Sequence, residues 1–114
     1  MNPIVDEVAS KLRDSLSKSI DDFEGLYVYG SQVNGNANED SDIDIVLLFK
    51  QRYLFKPDPY YEILSKIRYE YSDVIDLDIV SYTIEDLEIN PSYHDEVVNK
   101  GVYYGTQSVY WDIC

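Results

Sequence analysis

An α+β sandwich, with helices packed against a small mixed β-sheet, is the fold class this sequence predicts. Three observations carry it. Apolar residues recur at helical spacing in two separate stretches, three short β-prone runs lie between and after them, and the order is helix, strand, strand, helix, strand, short helices. At 114 residues the chain supports one domain with a real core, so residues 1–114 are read as a single domain.

Ile4, Val5, Val8, Leu12 and Leu16 are three or four residues apart, which predicts an amphipathic helix over 3–19 with Pro3 in its first turn. Asp21, Asp22 and Gly25 break that pattern, and Leu26-Tyr27-Val28-Tyr29 reads as the first strand, ending at Gly30. Tyr27 and Tyr29 flank Val28 and are expected to pack on one sheet face. The Asn-rich stretch 31–40, with Gly35 inside it, suits a short helical turn and a loop. Residues 42–49 form the second strand, and a connection with Pro57 and Pro59 leads to a helix over about 59–72, marked by Tyr60, Ile63, Leu64, Ile67 and Tyr71. The third strand is placed over 74–82. TIEDLE then reads as a short helix capped by Thr83, with Pro91 ending that unit. SYHDEVVNKG reads as a further helix closed by Gly101, and 102–104 as a last short strand.

Charge narrows the partners. Nine Lys and Arg stand against 22 Asp and Glu, a net charge of −13, and the basic residues are scattered. Binding the phosphates of DNA or RNA needs a clustered positive footprint, so no direct nucleic-acid contact is expected. A basic protein or a metal-chelated nucleotide is easier to accommodate. No stretch approaches the roughly 18 apolar residues of a membrane span, and the opening MNPIVDEVASKLRDS has no secretion-signal pattern. With one cysteine, Cys114, the chain has no internal disulfide, and a cytoplasmic location is expected.

The chemistry concentrates in YGSQVNGNANEDSDIDIVLLF, residues 29–49. Carboxylates are disfavoured in a strand that reads as buried on both faces unless something compensates them. In a strand, Asp42 and Asp44 project to the same side with Cα atoms about 6.5 to 7 Å apart, close enough to share a metal site. Gly30 allows a tight bend, and Ser31 sits where a helix begins, offering N–H groups to a phosphate. Ten residues separate Ser31 from Asp42. A third carboxylate comes from VIDLDIV, as Asp76 or Asp78. Three carboxylates at one focus repel one another unless divalent cations sit between them, and magnesium prefers such oxygen ligands. Two ions about 3.5 to 4 Å apart hold the attacking and leaving oxygens of a phosphoryl displacement, which points to nucleotidyl or phosphoryl transfer.

Plainer roles compete at several positions. Asp42 as a cap and Asp44 as a solvent-facing edge residue would leave the pair without chemistry. His94, the single histidine, has no ligand-spaced neighbours and reads as a helix surface residue. Ser31 has no Ser-His-Asp partners, so phosphate contact suits it better than nucleophilic attack. Trp111 and Cys114 are assigned no role.

The stretch GSQVNGNANEDSDIDIVLLF, with DLDIVSY and HDEVVNKGVYYG downstream, resembles the minimal nucleotidyltransferases of the polymerase-β-like superfamily, whose signature is Gly-Ser followed after about ten residues by Asp-x-Asp. The resemblance covers most of the chain. It implies the polymerase-β-like fold, phosphate binding by Gly30 and Ser31, and two Mg²⁺ ions on Asp42 and Asp44. The third carboxylate would complete a metal site and help activate the acceptor hydroxyl, with Asp78 preferred to Asp76 because LDIV matches the family pattern better. Asn34 stands before Gly35 where many relatives carry a basic residue, so one phosphate contact is missing and the retention of catalysis is in question.

Small stand-alone members of that family resemble the antitoxin half of a bacterial two-gene module whose partner is a HEPN-domain toxin. The implied chemistry is Mg²⁺-dependent transfer of AMP from ATP to a tyrosine of that toxin. Two alternatives stand beside it: a catalytically weak or inactive binding module that neutralises its partner by occlusion, and nucleotidyl transfer to a small molecule. The last lacks an acceptor domain, which a homo-oligomer closing over the site would supply.

Overall fold

The computed structural model describes residues 3–30, 33, 42–52 and 55–106. Helix α1, Pro3–Ser19, buries Val5, Val8, Ala9, Leu12 and Leu16 completely; four of these are in the stripe its spacing predicted, Ala9 joins them, and the predicted Ile4 is only half-buried. Asp6 in its first turn and Lys18 in its last complement the helix dipole.

Strand β1, Phe23–Tyr29, begins three residues before the expected Leu26. Gly25 does not end the pattern. It adopts φ +123° at a register shift between Phe23 and Gly25, so the strand passes through a bulge and carries Phe23 into the core. There its ring meets Phe49 edge-on at 5.6 Å. Strand β2, Ile43–Phe49, pairs antiparallel with β1 and parallel with β3, Leu77–Tyr82, making the sheet mixed. The third strand starts later than the expected 74 because Val74 and Ile75 donate their N–H groups to the Tyr71 carbonyl in a turn. Strand β4, Val102–Gly105, pairs antiparallel with β1 on its free side, and the sheet order is β3-β2-β1-β4.

Helices cover both faces. Alternation along β2 sends Ile43, Ile45, Leu47 and Phe49 to one side, where they pack on α1 and on Tyr60, Leu64 and Ile67 of α2, Tyr60–Glu70. Val46 and Leu48 point the other way, against Leu87 and Val97. Leu87 belongs to α3, Ile84–Glu88, whose Thr83 and Asp86 form a reciprocal capping box. Pro91 opens the next element instead of closing the previous one: α4, Pro91–His94, is capped by the Asn90 side chain, which accepts from the Tyr93 N–H, and runs into a π-helical turn, Asp95–Asn99. Proline suits that position because a first-turn residue has no helical N–H bond to lose. Gly101 follows, where a Cβ would lie 2.2 Å from the Val97 carbonyl oxygen and 2.8 Å from that of Val28. No helix among the described residues is long and apolar enough to cross a membrane.

Candidate functional site

Asp44 shares its side of β2 with Val46 and Leu48, but it is the second residue of the strand and only half-buried, whereas those two are packed in the core. Register sets its neighbours. Tyr29 of β1 lies directly across on one side and Asp78 of β3 on the other, so Tyr29, Asp44 and Asp78 form one row across three strands. Asp42 precedes the strand and is exposed. Burial raises the Asp44 pKa above the usual carboxylate range, and the negative charges of Asp78 and Asp42, with a side-chain hydrogen bond to Asp78, raise it further. Asp76 lies before β3, exposed, and its carbonyl accepts the Ile43 N–H at 2.9 Å.

Gly30 closes the row from the β1 end. Its φ of +80° is in the region that favours glycine, and a Cβ there would lie 2.6 Å from Asp44 Oδ2. The Gly30 carbonyl accepts the Val33 N–H at 3.0 Å, so the chain turns immediately after it. Ser31, Asn34, Gly35 and Ser41 lie outside the described residues, as do Trp111 and Cys114.

Beside the carboxylates stands an aromatic group in which sequence reasoning assigned Tyr29 only a packing role and did not single out Tyr93. The Tyr29 hydroxyl is hydrogen-bonded to the Tyr93 hydroxyl at 2.9 Å, and the two rings meet at 88° with centroids 5.6 Å apart. Tyr82, at the far end of β3, meets Tyr93 at 87° and 6.2 Å. Burial raises the Tyr29 and Tyr93 pKa values, and the charges of Asp44 and Asp78 add to the shift at both, so these phenols stay protonated beside the carboxylates. Tyr27 and Tyr29 do pack on one face, the second core. The only sequence signal for a site role was the position of Tyr29 immediately before Gly30; Tyr93 reaches it through tertiary structure alone. The neighbouring His94 sits half-buried on α4, its N–H donated to the Asn90 carbonyl.

Among the described residues no three His, Cys, Asp or Glu side chains converge as a ready metal cage. The donor set nevertheless suits a hard divalent cation: oxygen ligands only, like charges pressed together, and a glycine leaving one carboxylate oxygen uncovered. A cleft of about 490 Å³ opens on the opposite face of the sheet, between α1 and α2, among Lys11, Asp14, Lys18, Lys66 and Glu70. It holds none of the carboxylate row.

Residues 10–103 match the family Polymerase beta, Nucleotidyltransferase. Among solved structures, the chain is similar to a toxin-antitoxin with AMP-PNP, at 25% identity and a TM-score of 0.57, over 89% of this chain and 73% of that one. It is also similar to two mutant forms of the toxin-antitoxin MntA-HpeT. One is 23% identical with a TM-score of 0.55, over 94% of this chain and 76% of that one. The other is 21% identical with a TM-score of 0.56, over 99% and 79%. The likeness to those two is one of fold. None of the curated proteins matches the chain.

Proposed function

The chain belongs to the polymerase β nucleotidyltransferase family, and we propose from that premise that it transfers AMP from ATP to a tyrosine of a partner toxin and so acts as an antitoxin. The observation that carries the reading is the pairing of Asp44 with Asp78 across β2 and β3, beside the bend at Gly30. The toxin-antitoxin relative with AMP-PNP supports both the nucleotide and the kind of partner.

In this reading Asp42, Asp44 and Asp78 hold two Mg²⁺ ions, and Gly30 with Ser31 receives the nucleotide's phosphates. Bound magnesium supplies charge neutralisation for the developing pyrophosphate and lowers the pKa of the acceptor hydroxyl. Gly30 contributes space, since any side chain there would fill the gap beside Asp44 Oδ2. Asp78 takes the position facing the acceptor because it lies on β3, at the sheet edge, where a partner's tyrosine can approach. The acceptor comes from outside the chain, and a HEPN-domain toxin encoded beside it is the partner we infer. A strongly acidic surface favours encounter with a basic, RNA-handling protein.

The test mixes the purified protein, its gene neighbour, Mg²⁺ and ATP labelled at the α-phosphate. Label on the neighbour, mapped to a tyrosine, supports the reading; label on neither protein contradicts it.

A second reading is favoured by Asn34, which stands before Gly35 where many relatives carry a basic residue for the phosphates. Here the fold is retained without turnover and the toxin is neutralised by occlusion. Full neutralisation by an Asp42→Asn, Asp44→Asn double variant, without label transfer by the wild type, would select it.

A further inference from the structure

We propose that Tyr82 is the platform on which the base of the bound nucleotide stacks, with Tyr93 and Tyr29 as the brace that holds it. The inference rests on the nucleotide site proposed above and assigns the part of the ligand which the carboxylates do not touch.

Three features of the fold carry it. Tyr82 shares a strand and a side with Asp78, four residues further along β3, a rise of roughly 13 Å. That span runs from where phosphates would lie toward where a base would lie. Second, the ring is open: Tyr82 is 38% exposed. The more exposed Tyr61 and Tyr69 project from α2, the helix on the opposite face of the sheet, and the more exposed Tyr103 lies on β4, at the far edge of the sheet from Asp78, with its ring against Tyr27. Third, the ring is held. Its neighbour Tyr93 stands perpendicular to it at 6.2 Å and perpendicular to Tyr29 at 5.6 Å, and the Tyr29–Tyr93 hydroxyl bond at 2.9 Å fixes the middle ring to β1. A braced ring loses little freedom when a flat ligand covers it, and every nucleobase offers a π-face. Stacking of this kind reads the presence of a base more than its identity, so purine and pyrimidine triphosphates are both candidates, with ATP as the probe.

Equilibrium titrations of the intact chain with Mg²⁺-ATP and with Mg²⁺-tripolyphosphate, which has no base, test this on wild type, Tyr82→Phe and Tyr82→Leu. Tyr82→Leu keeps apolar bulk at an exposed position and removes the ring, both its π-face and its edge contact with Tyr93, while Tyr82→Phe removes the hydroxyl alone. The expected result is ATP affinity lowered about tenfold or more by Tyr82→Leu, the effect of losing one stacked base, with tripolyphosphate affinity unchanged and Tyr82→Phe like wild type. ATP binding indifferent to Tyr82→Leu overturns the platform and leaves the nucleotide site standing, as does an equal loss for both ligands. A wild type that binds neither ligand overturns the site and the platform together.

Discussion

At Gly30 a single hydrogen atom stands where any side chain would press on the Asp44 carboxylate. The residue combines a φ of +80° with a carboxylate oxygen that a Cβ would approach to 2.6 Å. Gly30→Ala therefore brings backbone strain of about 1–2 kcal/mol together with displacement of Asp44. Urea unfolding should show that loss of stability, and ATP binding should fall with it; a variant as stable as wild type that binds normally would remove Gly30 from the site. The neighbouring carboxylates differ in how far a sequence could distinguish them. Asp76 and Asp78 have the same parity along their strand, so alternation treats them alike. What separates them is register: Asp78 lies opposite Asp44, whereas Asp76 lies before the strand with its carbonyl spent on Ile43. Register is a property of two strands together and is not written in either one.

At the scale of elements, legibility followed the strength of local patterns. Ile4, Val5, Val8, Leu12 and Leu16 recur at helical spacing along the 17 residues of α1 and made its extent legible. The capping box at α3 was half visible: Thr83 was read as the cap, and Asp86 returns the bond with its carboxylate to the Thr83 N–H at 2.9 Å. Arg52 also pairs with Asp86, and these bonds hold its carboxyl below the usual range, the Thr83 backbone contributing most. Thr83→Ala should cost about 1 kcal/mol, the usual effect of losing a helix cap, visible as a lower midpoint in chemical denaturation; no change would mean that the remaining bonds of Asp86 and the burial of Leu87 hold α3 without the Thr83 hydroxyl. Two features had no local signal. Gly25 looks like a terminator but serves as a bulge, because Phe23 gains a place against Phe49 by continuing the strand. The Tyr29–Tyr93 contact joins residues 64 positions apart and depends on how α4 crosses the sheet.

The whole molecule is acidic and rich in tyrosine, and the second property sets its behaviour in alkali. Burial raises the phenol pKa of Tyr29, Tyr60, Tyr71, Tyr93, Tyr103 and Tyr104, that of Tyr104 to about 12, where its bond to Asp6 adds to the effect. A folded-state pKa raised above the unfolded value of about 10 means that the unfolded chain loses the proton first. The stability these groups contribute is therefore complete below about pH 10 and is lost as pH rises toward 12 and beyond. Circular dichroism and tyrosinate absorbance followed together should show cooperative unfolding in that window, with much of the ionisation coming at the transition; phenols that titrate freely near pH 10 in a folded chain would contradict it. The net charge of −13 acts at longer range; in the proposed reading it would guide encounter with a basic toxin, an effect that weakens as salt rises.

The central claim is that the Asp44–Asp78 pair is where AMP changes hands. Its most direct measurement is the rate of α-phosphate label transfer to the partner by wild type, Asp44→Asn and Asp78→Asn, with the melting temperature of each variant taken alongside. Because the folded state raises the Asp44 pKa, its negative charge opposes folding at neutral pH, so Asp44→Asn should melt no lower than wild type. The account predicts that both variants fold and that each lowers the rate by more than the roughly 10- to 100-fold typical of losing an outer-shell metal partner. Transfer at the wild-type rate by either folded variant would contradict it.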